Sequence, residues 1–120
     1  MACMTITTLS EGPAVLIGYA WRLQIEAEAP VFAQGAAYAG QIRIRPSDGA
    51  VLATITSADG GIVRVSDTVL ELLLRPAQTA ALLPGRIVLD LVRTDLDPDL
   101  HLGFLLEIPV ILPVTRGLVP

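Results

Sequence analysis

The chain has 120 residues and a net charge of −4; 52% of its residues are hydrophobic, 17% charged and 4% aromatic. A chain this rich in aliphatic residues buries enough apolar surface to offset the entropy of ordering it, which excludes disorder, and its acidic balance gives no pull toward nucleic-acid phosphates or an anionic membrane surface. A membrane-spanning helix is excluded too: the longest stretch free of Asp, Glu, Arg and His runs from Ala29 to Ile42 and contains two Gln and two Gly, short of the ~20 apolar residues a span needs.

The length is that of one domain. Cys3 is the single cysteine, so neither an intrachain disulfide nor a Cys-based zinc site can hold the fold, and packing alone must do so. Met1 to Ser10 has no Arg or Lys and no continuous apolar core, which does not read as a secretory signal and leaves the cytoplasm of the producing cell as the expected compartment. The domain is expected over residues 14–116, between an N-terminal arm at 1–13 and a tail at 117–120.

In chain order, Gly12 to Tyr19 is nearly continuous apolar sequence. Trp21, Leu23, Ile25 and Ala27 then alternate with Arg22, Gln24, Glu26 and Glu28, the mark of a strand with one buried face. Ile42 and Ile44 alternate with Arg43 and Arg45 up to a turn at Pro46–Gly49. A β-branched strand, Val51 to Thr56, leads to a turn at Asp59-Gly60-Gly61. Strands follow at Ile62–Val65 and at Thr68–Leu74, where Leu70, Leu72 and Leu74 share a face. Pro76 to Leu82 lacks alternation, opens with Pro and closes on Pro84-Gly85, which predicts a helical turn.

Alternation resumes with Ile87, Leu89 and Leu91 on one phase. After an acidic turn at Asp95–Asp99, a long last strand puts Leu102, Phe104, Leu106, Ile108, Val110 and Leu112 on its inner face. Pro109 cannot donate to a ladder, which predicts an edge or a bulge from Ile108 onward. About seven short strands with frequent turns and one helical corner describe an all-β antiparallel sandwich.

Candidate chemistry is sparse. With one His, one Cys, no Gly-rich phosphate loop and no nucleophile elbow, no catalytic constellation and no cofactor site can be drawn. His101 opens the last strand beside the acidic turn, where pairing with Asp99 or Asp97 is open to it; its plainer reading is an exposed strand-start histidine. Asp95, Asp97 and Asp99 resemble the first half of a calcium loop. However, Leu100 stands where that loop has Gly, and Glu107 falls one place late for the bidentate ligand, so a turn using its own Asp and Pro explains them better. Arg22, Arg43, Arg45 and Arg64 fall on polar phases together with Glu26, Glu28 and Glu71, which predicts mixed, cross-paired faces and no basic stripe.

The apolar excess is more informative. Val15, Leu16, Ile17 and Tyr19 in the first segment, and Ile108, Val110, Ile111 and Val114 in the last, form the expected protein interface, and Val69, Leu73, Val88, Val92 and Leu105 also sit on outward phases.

From Glu71 to Arg116 the chain carries Leu74-Arg75-Pro76 at a helical corner, Pro84-Gly85-Arg86 at a turn, Asp90-Leu91 in a strand, Thr94-Asp95 at a turn and Val114-Thr115-Arg116 at the close. Upstream are a Trp strand (Trp21-Arg22-Leu23-Gln24-Ile25), an Arg-bearing strand (Gln41-Ile42-Arg43-Ile44-Arg45) and a Leu52-Ala53-Thr54 strand. Together, over Trp21 to Arg116, this is similar to a widespread group of small tailed-bacteriophage and prophage structural proteins. The chain departs from the group where its turn reads Asp97-Pro98-Asp99 in place of an Asp-Gly ending, and where Glu11 to Tyr19 is unusually apolar. The resemblance implies an immunoglobulin-like sandwich like the N-terminal module of baseplate upper proteins. It further implies a non-enzymatic virion protein of the tail, baseplate, neck or fibre-attachment region, made in the bacterial host cytoplasm. Such a protein contacts other virion proteins and copies of itself, with no cofactor, metal, nucleic acid, membrane or small-molecule substrate. The alternatives are a capsid decoration protein, or a ligand- or receptor-binding module with the acidic turn as a cation site.

Overall fold

The computed structural model describes residues 9–11 and 13–115, with side chains from residue 13 onward. The elements are β1 (Leu9–Glu11), β2 (Val15–Leu16), β3 (Trp21–Glu26), β4 (Tyr38–Arg43), β5 (Ala53–Thr56), β6 (Ile62–Arg64), β7 (Val69–Leu74), α1 (Pro76–Thr79), β8 (Gly85–Arg93) and β9 (Leu100–Ile111). One sheet runs β1-β9-β8-β4-β5, with β2 also on β9, and the other runs β3-β7-β6. Sheet-on-sheet stacking of these strands, with a β3-β7-β6 layer against a β9-β8-β4-β5 layer, reproduces the B-E-D and G-F-C-C′ layers of an immunoglobulin-like sandwich.

The seven alternating segments all form strands, because each has one apolar phase to bury. Trp21 and Ile25 of β3, Leu70, Leu72 and Leu74 of β7 and Ile62 of β6 meet Ile87, Leu89 and Leu91 of β8 and Phe104, Leu106, Ile108 and Val110 of β9. Each such burial contributes about 1.5–3 kcal/mol relative to exposure. The Trp21 indole N–H is satisfied by the Pro13 carbonyl at 2.9 Å, as a buried indole requires. The outward-phase Val88 is buried, while Val69, Leu73, Val92 and Leu105 are half-covered, so the faces beyond the core carry less bare apolar surface than their phase predicts. Leu112 and Ile44, expected inside, are exposed because each lies just past the end of its strand.

Of the two additional strands, β2 comes from the N-terminal apolar segment, and β1 falls within the expected arm at 1–13. Both run parallel to β9: Leu9 to Glu11 lie opposite Leu105 to Glu107, and Val15 and Leu16 opposite Val110 and Ile111. Consequently β9 is not an edge, the first of the two alternatives, edge or bulge, that Pro109 suggested. The Ile17 N–H donates to the Ile111 carbonyl at 3.0 Å, so odd-numbered residues of β9 turn their backbone groups toward this ladder. The N–H that Pro109 lacks is therefore missing on the β1/β2 side, in the interval between the two paired blocks. The two paired blocks leave Pro109 itself outside that ladder, at the place where it has no donor to give.

β4 begins four residues before the alternation of Ile42 and Ile44 suggested. Its inward set is Tyr38, Gly40 and Ile42, and the glycine conceals the period. A Cβ at Gly40 would lie 2.7 Å from both the Asp90 carbonyl oxygen and the Leu91 Cδ2, so the strand tolerates no side chain there. We expect Gly40→Ala to lower unfolding stability by about 1–3 kcal/mol through overpacking. Gly49→Ala, whose Cβ would meet nothing within 4 Å, should stay within about 0.5 kcal/mol. Urea unfolding midpoints of the two variants check this, and equal effects would remove the close-approach account.

Candidate functional site

The expected interface residues divide by strand phase. Val15, Ile108 and Val110 point into the core and are fully or nearly fully buried, so they are unavailable to any partner. They alternate with the residues that do face outward. Ile17 is half-buried against the core. Leu16 and Ile111, cross-strand neighbours in the parallel ladder, are 43% and 47% exposed, and Tyr19, Leu112 and Val114 extend the same end of the molecule as exposed apolar side chains.

This end is held firmly from below by a residue the alternation pattern could not mark. Thr79, the last residue of α1, is completely buried. Its hydroxyl donates to the Tyr19 carbonyl at 2.8 Å and accepts the Gly18 N–H at 3.1 Å, pinning the turn in which Gly18 adopts φ +89°. The Tyr19 hydroxyl in turn donates to the Thr115 carbonyl at 2.7 Å. The start of the corner is fixed by the Gln78 Oε1, which accepts the Arg75 N–H at 2.8 Å. The signal in the sequence was only that Pro76 opens a helical turn.

The polar groups settle among themselves. His101 bonds Asp90 Oδ2 through Nε2 at 2.8 Å, in place of the neighbouring Asp99 or Asp97, and its Nδ1 accepts the Gly103 N–H at 2.9 Å. A bulge between Asp90/Val92 and the facing strand, with Gly103 at φ +84°, folds β9 back to make this contact. With Nδ1 accepting from Gly103, Nε2–H is the donor in the hydrogen bond to the Asp90 carboxylate. Neither nitrogen is left to take a proton from a substrate. Arg22 meets Glu71 at 3.4 Å, Arg45 meets Asp48 at 3.5 Å, Arg43 bonds Gln41 and the Asp48 carbonyl, and Arg64 bonds the Phe32 carbonyl. The four arginines thus form no common stripe: Arg43 and Arg45 share Asp48, and Arg22 and Arg64 lie in contacts of their own.

Asp95, first in the acidic turn, accepts two bonds from Arg93 at 2.8 and 3.0 Å and one from the Ala37 N–H at 3.2 Å. Among the described residues no three His, Cys, Asp or Glu side chains gather as a metal site would. A wide-open depression of about 310 Å³ lies on the outer sheet face, lined by Gln41, Thr54, Asp90, Val92, Thr94 and Asp99 among others, and contains no nucleophile paired with a free base.

One polar group is uncompensated. The Tyr38 hydroxyl is buried with no hydrogen-bond partner, its ring edge-on to Phe32 with centroids 6.2 Å apart, and burial pushes its ionisation upward. Tyr38→Phe should therefore be neutral or stabilising by up to about 1 kcal/mol, since it removes an unsatisfied group while keeping the ring. A loss of stability on urea unfolding would show that the hydroxyl has a partner.

No protein-family model matches the chain, and no curated protein matches it in sequence. Among solved structures it is similar to Drosophila OTK, extracellular domains 3–5, at 13% identity and a TM-score of 0.34. That match covers 91% of this chain and 35% of the other, so the chain spans about a third of that structure's length.

The Arg93 guanidinium, followed by the Ala37 N–H, holds the Asp95 carboxyl down at about 2, against an ordinary 3.8. Asp59, bonded by the Gly61 and Thr56 N–H groups, is lowered in the same direction. Because the folded-state values lie below the unfolded ones, the stabilisation is complete above the ordinary carboxylate range. It is lost as pH falls through the folded value, where the unfolded chain has already taken up its protons. Asp95→Asn should flatten the fall in stability between about pH 4 and pH 2; an unchanged acid limb on denaturant titration would contradict the pairing.

Proposed function

We propose that the protein is a non-enzymatic structural component of a tailed-phage or prophage virion, acting by protein–protein contact at the tail, baseplate, neck or fibre-attachment region. The observation that carries this reading is the exposed apolar end formed by Leu16, Tyr19, Ile111, Leu112 and Val114, built on backbone that Thr79 and the β2–β9 ladder fix in place. Exposed apolar side chains on a hydrogen-bonded support suit association with another protein, because less loop ordering remains to oppose binding.

The residues of the phage-protein resemblance support the reading by their kind of role. Pro84-Gly85-Arg86 turns the chain into β8 with Gly85 at φ +138°. Asp90 fixes His101 across the bulge, and Asp95 holds Arg93 and the Ala37 N–H. Each of these roles is structural. The engagement of both His101 nitrogens speaks against acid–base chemistry at that residue, and the engagement of Asp95 weighs against the acidic turn as a cation site.

Leu16 and Ile111 are exposed, so replacing both with Asp should leave unfolding stability within about 1 kcal/mol. The same Leu16→Asp, Ile111→Asp variant should fail to co-sediment with purified particles of the phage that encodes it, where the tagged parent chain does co-sediment. Absence of the parent chain from the particles would overturn the virion reading. Normal incorporation of the variant would overturn the assignment of the contact surface.

A further inference from the structure

We infer that the free edge of β3 pairs with β3 of a second copy of this chain, the two strands running antiparallel about a twofold axis at Gln24. The inference stands on a different strand from the apolar end and does not depend on the virion reading.

The N-terminal segment, which could have covered β3, instead supplies β1 and β2 to the opposite sheet. β3 therefore has β7 on one side and, among the described residues, no strand on the other. Its pairing with β7 is regular from Trp21 opposite Leu74 to Glu26 opposite Val69. The Ala27 N–H continues that ladder by donating to the Thr68 carbonyl at 2.8 Å. In a regular strand backbone direction alternates, so the odd-numbered residues face β7 and the N–H and C=O groups of Arg22, Gln24 and Glu26 face outward. Among the described residues no other backbone group bonds them.

Two of the other edges, β6 and β5, offer less. β6 has three residues, and on β5 the Thr56 N–H is already taken by the Asp59 carboxylate at 3.2 Å. Charges along an edge ordinarily guard it against pairing. On β3, however, their order makes the strand complementary to itself. With Gln24 opposite the Gln24 of the second copy, Arg22 falls opposite Glu26 and Glu26 opposite Arg22. The outward-facing backbone groups of all three residues then lie in hydrogen-bonding register, giving two bonds for each facing pair. The side chains of Arg22, Gln24 and Glu26 are exposed on the outer face, where opposite charges directly across an antiparallel pair attract. On the inner face, Leu23, only partly buried within one chain, gains Ile25 of the second copy as a neighbour. The product is a continuous sheet, β6-β7-β3 joined to its symmetry mate.

Sedimentation velocity on the full chain at about 100 μM, a regime that populates a micromolar complex, should show a dimer. Arg22→Glu and Glu26→Arg, each placing like charges opposite twice by symmetry, should each weaken it by about tenfold or more. The double variant Arg22→Glu, Glu26→Arg exchanges the partners and should return the dimer to near the parent affinity. Gln24→Pro should abolish it while circular dichroism remains that of the folded chain, because the N–H it removes faces outward. The Leu16→Asp, Ile111→Asp variant should dimerise normally, which separates this edge from the apolar end. A monomeric parent chain, or a dimer that survives Gln24→Pro, overturns the proposal. A double variant no tighter than the single ones overturns the register.

Discussion

The parallel ladder between the N-terminal segment and β9 decides much of what this sandwich can present to the outside. Antiparallel neighbours are the rule in such folds, and the N-terminal strand has two sheets to choose between. By joining β9 it makes a central strand of what Pro109 would otherwise have left as an edge, and places Val15 in the core beside Val110. The same choice has two further results. It sets Leu16 and Ile111 side by side on the outer surface, and it leaves β3 open. One pairing decision therefore generates both the exposed apolar end and the unpaired backbone edge.

Without a disulfide, the two layers are joined through an almost wholly aliphatic interior, in which Trp21, Phe32, Tyr38 and Phe104 are the buried aromatic members. Such a core specifies its structure through phase and volume more than through directional bonds. This explains why its few polar exceptions carry unusual weight. Thr79 is satisfied on both sides and ties α1 to the turn before β3. The Tyr38 hydroxyl is satisfied on neither, and an orphaned group of this kind costs about 1–3 kcal/mol. The T-shaped contact with Phe32 and the burial of both rings offset that cost.

The phases of β3, β7 and β8 were legible in the sequence because one set of alternate positions in each is wholly apolar, although Val69, Leu73, Val88 and Val92 interrupt the other set, and the helical corner was legible from Pro76. What escaped depends on partners distant in sequence. Gly40 hid the start of β4, because a glycine facing inward carries no hydropathy signal, although the approach of the Asp90 carbonyl is what requires it. The apolar run from Val15 to Tyr19 looked like one surface, yet a strand turns alternate residues to opposite sides, so Val15 entered the core and Leu16 stayed out. Ile108 and Val110 divide from Ile111 for the same reason. The His101–Asp90 contact was illegible because the bulge at Gly103 shifts the register between β8 and β9. No local rule relates a histidine to an aspartate eleven positions earlier.

The surplus of apolar residues over charged ones acquires a physical location from this arrangement. A β-sandwich has two inner faces, and here they absorb the alternating Leu, Ile and Val of seven strands. The outer faces take partial cover from long polar side chains such as Arg43, which lies across from Val88, since the methylene stem of an arginine shields apolar surface while its head stays in water. That cover thins where strands end, because no neighbouring strand lies beyond them. Leu112 and Val114 follow the last residue of β9, and Ile44 follows the last of β4. Much of the exposed apolar surface thus lies at or beyond strand ends, with Val63 in the middle of β6 as an exception. An association through the ends is then driven by dehydration with little directional demand, whereas one along the side at β3 is governed by hydrogen-bond register and by the order of its charges. The two kinds of contact differ in their response to salt, since screening weakens the charge pairing of the β3 edge and leaves apolar burial at the end largely untouched.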